Sequence, residues 1–263
     1  MGKDKKNRPN DHGLTWTAED DSHAVGLSSS WEEFLDQPDE ATADSPHPFE
    51  TPSEDRYTRR GLLGRGGMGK VFMVLDQRLR REVALKEVIQ HGSKNHMPNA
   101  RLAREAWITA QLEHPGIVPV YNAGCSDTGD LFYTMRLIRG RCLKERLKEA
   151  ETLQERLGQI RTFLDACQAV AYAHSLGIVH RDLKPDNIMI GEFGETQVVD
   201  WGLARPSDST RGERWREQVL PEPELTQIHQ GRIVGTPAYM SPEQANGNLA
   251  TEQCDVWGLG VIL

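Results

Sequence analysis

The run His180-Arg181-Asp182-Leu183-Lys184-Pro185-Asp186-Asn187 places carboxylates, a lysine and an amide side by side, and Asp200-Trp201-Gly202 follows shortly after. Carboxylates, a lysine and an asparagine at this spacing can bind a hard metal ion, hold a phosphate and accept a proton. Chemistry of that kind needs a phosphate-bearing ligand delivered to the loop. The segments upstream are therefore read for how they would position one.

Tyr57 to Lys86 alternates apolar and polar residues and reads as strands. Within it lies Leu63-Gly64-Arg65-Gly66-Gly67-Met68-Gly69-Lys70-Val71. Glycines there let backbone N–H groups approach phosphate oxygens with no side chain in the way. A Rossmann turn would need a helix next, but Val71 to Leu75 is β-branched and aromatic. A Walker A loop fits Gly64 to Lys70 but needs Ser or Thr at position 71, where Val stands. A glycine-rich hairpin between two strands, covering a nucleotide, fits the whole run. A hairpin without a ligand stays open beside it.

Lys86 sits in the apolar stretch Val83-Ala84-Leu85, so its ammonium would be costly to bury without a partner. The spacing predicts a helix from Pro98 to Glu113, ended by His114-Pro115. Two further strands are expected at Ile117–Tyr121 and Leu131–Leu137, the second running into a link between two lobes. A short helix is expected at Leu143–Glu149. A longer one should run from Leu153 to His174, with Leu157, Ile160, Leu164, Cys167 and Ala171 on its apolar face and Gly177 stopping it.

Residues 56–263 resemble a protein kinase domain of the Ser/Thr class. The matching pieces are Gly64–Val71, Lys86, Glu105, His180–Asn187, Asp200-Trp201-Gly202, Gly235 to Glu243 and Asp255 to Gly260, in the family's order and spacing. The wording Gly-Gly-Met-Gly and Thr236-Pro-Ala-Tyr-Met-Ser-Pro-Glu-Gln-Ala245 is most similar to bacterial members. The resemblance implies an α+β, bilobal fold. A small, mainly β lobe with one key helix would span 56–137, and a larger, mainly α lobe would span 138–263, incomplete at its C-terminus. It implies transfer of the ATP γ-phosphate to Ser/Thr hydroxyls of proteins, this chain included, with Mg²⁺ or Mn²⁺.

By the same resemblance, Asp182 orients the substrate hydroxyl and takes its proton, Lys184 touches the transferred phosphate, and Asn187 and Asp200 hold the metal. Thr236 contacts Asp182 and Lys184. ATP lies under Leu63 to Val71, between Ala84 and Val71 above and Met189 below, with Met135 at the back. Arg136 and Ile138 bond the adenine edge through their backbone, and Lys86, paired with Glu105, meets the phosphates. Arg181 is implied to bind a phosphorylated residue of the segment Asp200–Glu243. Ser207, Ser209, Thr210 and Thr226 are the candidates, with Thr226 preferred. Trp201 stands where the family usually has Phe. Asp186 is expected to be a solvated loop residue, and Glu243 to be unpaired without its usual arginine.

The bulk composition fits this picture. Of the net charge of −8, the acidity belongs to the tail: residues 1–55 hold 14 Asp/Glu against 4 Lys/Arg, and the remainder 25 against 27. The tail reads as largely disordered, apart from a helical face of Trp31, Phe34 and Leu35 that suits transient helix or a short docking motif. The near-neutral remainder argues against nucleic-acid binding. Four scattered cysteines and no long apolar run fit a cytoplasmic protein, with membrane anchoring left to residues after Leu263. Such a chain is expected to be a fragment of a longer protein, poorly stable and weakly active alone. A pseudokinase or scaffold with the same fold is the competing function. A small-molecule kinase is disfavoured by Lys184 and the Gly235–Glu243 segment.

Overall fold

The computed structural model describes residues 56–66, 69–88, 97–126, 129–207, 235–248 and 251–263. The tail with Trp31, the loop residues Gly67 and Met68, and Ser209, Thr210 and Thr226 lie outside them.

The first half is an antiparallel sheet of β1 (Tyr57–Arg65), β2 (Lys70–Asp76), β3 (Arg81–Glu87), β4 (Val120–Cys125) and β5 (Leu131–Met135), in the order β1-β2-β3-β5-β4. Helix α1 (Met97–Gln111) packs on it. Successive strand residues face opposite ways. Val83 and Leu85 therefore join Val74 and Phe132 in one cluster, while Lys86 turns to the other face. On that face Leu102, Ala103 and Ala106 of α1 pack with Leu131 and Tyr133.

The expected strand at Ile117–Tyr121 is displaced. Ile117 makes a single parallel bridge to Val198, and the continuous strand begins only at Val120. His114-Pro115-Gly116 turns the chain sharply there. The backbone carbonyl of Gly116 accepts from Val198 N at 2.8 Å, so this segment serves the second half of the molecule before it rejoins the sheet.

The second half contains β6 (Gly140–Cys142), α2 (Leu143–Glu149), α3 (Leu153–Leu157), α4 (Ile160–Ser175), β7 (Ile178–Val179), β8 (Ile188–Gly191), β9 (Thr196–Val198), β10 (Arg205–Pro206), α5 (Pro242–Ala245) and α6 (Glu252–Ile262). Strands β6, β8 and β9 form one small sheet, and β7 pairs with β10. The mixture of a strand-built half and a helical half is the expected α+β, bilobal arrangement. Ile108 of α1 and Leu112 just after it join Ala169, Ile178, Ile188 and Trp201 in one buried cluster, which links the two halves.

Two expectations about the long helix fail. It is broken at Gly158 into α3 and α4, and Thr152 and Glu155 form a capping box at the start of α3. The face of Leu157, Ile160, Leu164, Cys167 and Ala171 is also not the packed one, since Leu157, Ile160 and Leu164 are 53%, 41% and 50% exposed. The buried face of α4 is Thr162, Ala166, Ala169, Val170 and Ala173. Small residues let the helix lie close to its neighbours: a Cβ added at Gly116 would sit 3.0 Å from Ala169 Cβ.

Candidate active site

The loop after β7 is pinned from below by Asp255 of α6, which is 1% exposed. Its carboxylate accepts from the backbone N–H of His180 (2.7 Å) and of Arg181 (2.8 Å), and lies 2.8 Å from His174 Nε2. A buried carboxylate satisfied this way fixes two successive peptide groups. Arg181 is held at φ 71° and Asp200 at φ 64°, in the left-handed region that residues other than glycine seldom occupy. Sequence reading placed Asp255 in a motif but gave it no role. An acid beside the apolar run Val256 to Leu263 was the signal.

Asp182 then receives a full set of donors. Its Oδ1 accepts from Thr236 N at 2.9 Å and Thr236 Oγ1 at 2.8 Å, and its Oδ2 from Lys184 Nζ at 2.5 Å. Lys184 Nζ also donates to Thr236 Oγ1 at 2.8 Å, and Asn187 Nδ2 to the Asp182 carbonyl at 2.9 Å. Thr236 can reach the loop because Gly235 before it adopts φ 126°, which a side chain would strain. The structure thus brings Asp182, Lys184, Asn187 and Thr236 into one cluster.

A second cluster forms between the halves. Lys86 Nζ donates to Glu105 Oε1 (2.5 Å) and Asp200 Oδ1 (3.0 Å), and Tyr133 Oη donates to Glu105 Oε1 (2.8 Å). Burial works to lower the Lys86 pKa, but the two carboxylates outweigh it and the ammonium titrates above its ordinary range. Burial pushes the Glu105 carboxyl up, even with Lys86 opposing. Burial works the same way on Asp200, but Lys86 outweighs it there and that carboxyl ionises more readily than usual.

The glycine run is a hairpin between β1 and β2: Gly64 pairs with Val71 and Arg65 with Lys70, and Gly66 N donates to Gly69 O at 2.9 Å. Val71 continues as strand, which rules out the Rossmann turn. A Cβ on Gly69 would meet Glu87 O at 2.3 Å, so the strand beneath also requires glycine there. Leu63 is 51% exposed at the hairpin's entrance. Ala84 pairs with Met135 across β3 and β5, and Met189 pairs with Cys142 and Gln197 in the small sheet. Ile138 follows in the linking segment. The N–H of Arg136 is taken by Pro119 O at 3.2 Å, which leaves its carbonyl as the group able to face a base.

Trp201 is 1% exposed. Its indole donates to Val198 O at 3.3 Å, and its ring lies 4.6 Å from that of His180. Asp186 is part-exposed, as expected, and accepts from Lys144 at 2.7 Å. Two expectations need correction. Glu243 has a partner in the Cys254 thiol at 3.2 Å. Ser207 is wholly buried, and its N–H is bonded to Gly177 O at 2.7 Å, so as placed it cannot be offered to a modifying enzyme.

Arg181 lies beside two other guanidinium groups, Arg104 of α1 and Arg205 of β10. Burial first, and then these neighbours, lower its pKa to about 10. Its Nε is buried with no hydrogen-bond partner among the described residues.

Comparison with known proteins agrees with this geometry. The family model described as "Protein kinase domain" matches residues 57–263. The serine/threonine-protein kinase PknD of Protochlamydia amoebophila is 41% identical over 225 residues, covering 80% of this chain and 22% of that protein. The proteins of the same name from Chlamydia felis and Chlamydia trachomatis serovar L2b are 40% and 42% identical, each over 79% of this chain and 24% of the relative. The chain therefore spans less than a quarter of the length of these curated relatives. With the match running unbroken from the first strand through α6, the chain belongs to the protein kinase domain family.

Proposed function

We propose that this chain is the catalytic domain of an ATP-dependent kinase that phosphorylates Ser and Thr hydroxyls of proteins. The observation that carries the reading is the Asp182 carboxylate, held by Thr236 and Lys184. An acceptor hydroxyl at Asp182 would be oriented for attack and would give up its proton there. Lys184 would then stand by the transferred phosphoryl group. Thr236 closes the site on the side where a protein hydroxyl would enter.

Asn187 and Asp200 suit Mg²⁺ or Mn²⁺ as a donor set. The Asn187 amide nitrogen is committed to Asp182, and one Asp200 oxygen to Lys86, so each residue retains an oxygen, the ligand type hard cations take. The metal would supply charge neutralisation on the phosphates. Lys86 would meet the phosphates under the hairpin Leu63 to Val71, and the base would lie between Val71 and Ala84 above and Met189 below. Met135 would border it, with the backbone of Arg136 and Ile138 at its edge.

The same reading gives Arg181 a regulatory role. A phosphorylated residue of the 208–234 segment, with Thr226 preferred, would supply an anion to the buried Arg181, whose Nε has no hydrogen-bond partner among the described residues. Phosphorylation by a second copy of the chain is one source. The need for ATP and the free thiols of all four cysteines favour the cytoplasm. No helix among the described residues is long and apolar enough to cross a membrane.

Radiolabelled ATP transfer to a generic basic protein tests the reading, with Asp182→Asn as control. The variant should lose about 10²–10⁴-fold in rate. Equal labelling by both proteins would discard the mechanism.

A further inference from the structure

Glu105 makes more contacts than pairing with Lys86 requires. Its Oε1 accepts from both Lys86 Nζ and Tyr133 Oη, while Oε2 is buried with no hydrogen-bond partner among the described residues. Lys86 and Tyr133 are direct partners across β3 and β5, so both side chains leave the same face of the sheet and converge on one carboxylate of α1. Tyr133 is 3% exposed. Its ring alone would fill the cluster with Leu102 and Ala106, and phenylalanine would serve there as well. The hydroxyl is what needs explaining, because a buried phenol without a partner costs stability.

We propose that Tyr133 is a positioning residue for the nucleotide site: its hydroxyl holds the Glu105 carboxylate, in the ionised form, where it can grip Lys86, and so ties α1 to the sheet. The proposal rests on the kinase reading, in which Lys86 meets the nucleotide phosphates. The groups facing Glu105 are Lys86 from β3, Tyr133 from β5 and Asp200 from the segment after β9. On its own helix, Thr109 Oγ1 bonds the Glu105 backbone carbonyl. Burial pushes the Glu105 carboxyl up and Asp200 adds to this, while Lys86 and the Tyr133 hydroxyl oppose them. A donor aimed at the carboxylate favours its charged form. Removing that donor raises the pKa further. Below that pKa Glu105 is protonated and no longer matches Lys86, so activity should fail at a higher pH in the variant than in the parent.

Tyr133→Phe, made in the full chain, tests this by two measurements. In the first, the acid limb of kcat/KM for ATP should move up by about one pH unit, leaving the variant about tenfold slower on the acid side and within about threefold of the parent at alkaline pH. The second needs no phosphoryl transfer. Hydrogen exchange over Met97–Gln111 should be faster in the variant than in the parent at low pH and equal at high pH. A chain that transfers no phosphate but shows this exchange pattern would remove the kinase reading and keep the positioning role. A variant-to-parent ratio independent of pH in both measurements would overturn the proposal and reduce Tyr133 to core packing.

Discussion

Adjacent residues of α1 serve two buried cations in opposite ways. Glu105 gives Lys86 a carboxylate at 2.5 Å, Asp200 adds a second at 3.0 Å, and the ammonium is held more firmly charged than in water. Arg181 is lowered first by its burial and then by the like charges of Arg205 and of Arg104, one residue before Glu105, and its pKa falls to about 10. One site is neutralised by the protein's own groups. At the other, burial and two neighbouring guanidinium groups work against the charge of Arg181. A buried ion is tolerable only when compensated. The first site is therefore held by the protein's own ion pairs, and the second is expected to respond more to an added anion.

The largest effect should come from breaking the compensated site. Lys86→Met leaves Glu105 buried opposite an apolar side chain and should cost about 3–5 kcal/mol of stability near pH 8, read by denaturant unfolding. The loss should shrink as pH falls, because the uncompensated carboxyl then takes up a proton. Adding Glu105→Leu should recover much of the loss, since an apolar pair carries no such penalty. No recovery would mean that the site is held by shape and not by charge.

Arg181→Met should act with the opposite sign. In unphosphorylated protein, removing a crowded guanidinium should leave stability unchanged or raise it by up to about 1 kcal/mol. Inorganic sulfate, offered as a stand-in anion, should raise the Tm of the parent and not that of the variant. A destabilisation as large as that of Lys86→Met would show that Arg181 is already compensated, and the contrast would fail.

Lys86, Glu105, Asp200 and Arg181 were legible in the sequence, but the arginine neighbours of Arg181 and the energetic difference between the two sites were not. His180–Asn187, Lys86 and Glu105 stand out because their types are unusual for their positions: a lysine in an apolar strand, an acid inside a helix that packs on a sheet. Arg104 and Arg205 look like ordinary surface residues until the fold brings them to Arg181. The packed face of α4 was misread for a related reason. Hydrophobicity points to Leu157, Ile160 and Leu164, but the buried face is chosen for closeness, which favours Ala166, Ala169 and Ala173. Ser207 looked like an exposed hydroxyl in a polar run. The pairing of β10 with β7 is what draws it inside.

Thr236 offers a test between the clusters. Its hydroxyl both donates to Asp182 and accepts from Lys184. Thr236→Ala removes both bonds and should lower kcat by about tenfold, with little change in KM for ATP, because the Lys86 cluster is untouched. Thr236→Ser should keep most of the rate. A matching rise in KM for ATP would show that the two clusters are one unit.

The smallest effect on activity should be at Trp201, which packs in one cluster with Ile108 of α1. Trp201→Phe keeps an aromatic ring beside His180 but removes the hydrogen bond to Val198 O and leaves a small void. The expected cost is about 1–2 kcal/mol, or a Tm lower by about 2–8 °C. If charge matching at Glu105 sets the position of α1, activity should stay within about threefold of the parent. A loss as deep as that of Lys86→Met would mean that the indole holds the helix and the ion pair merely follows. The compensated site would then depend on packing as well as on charge.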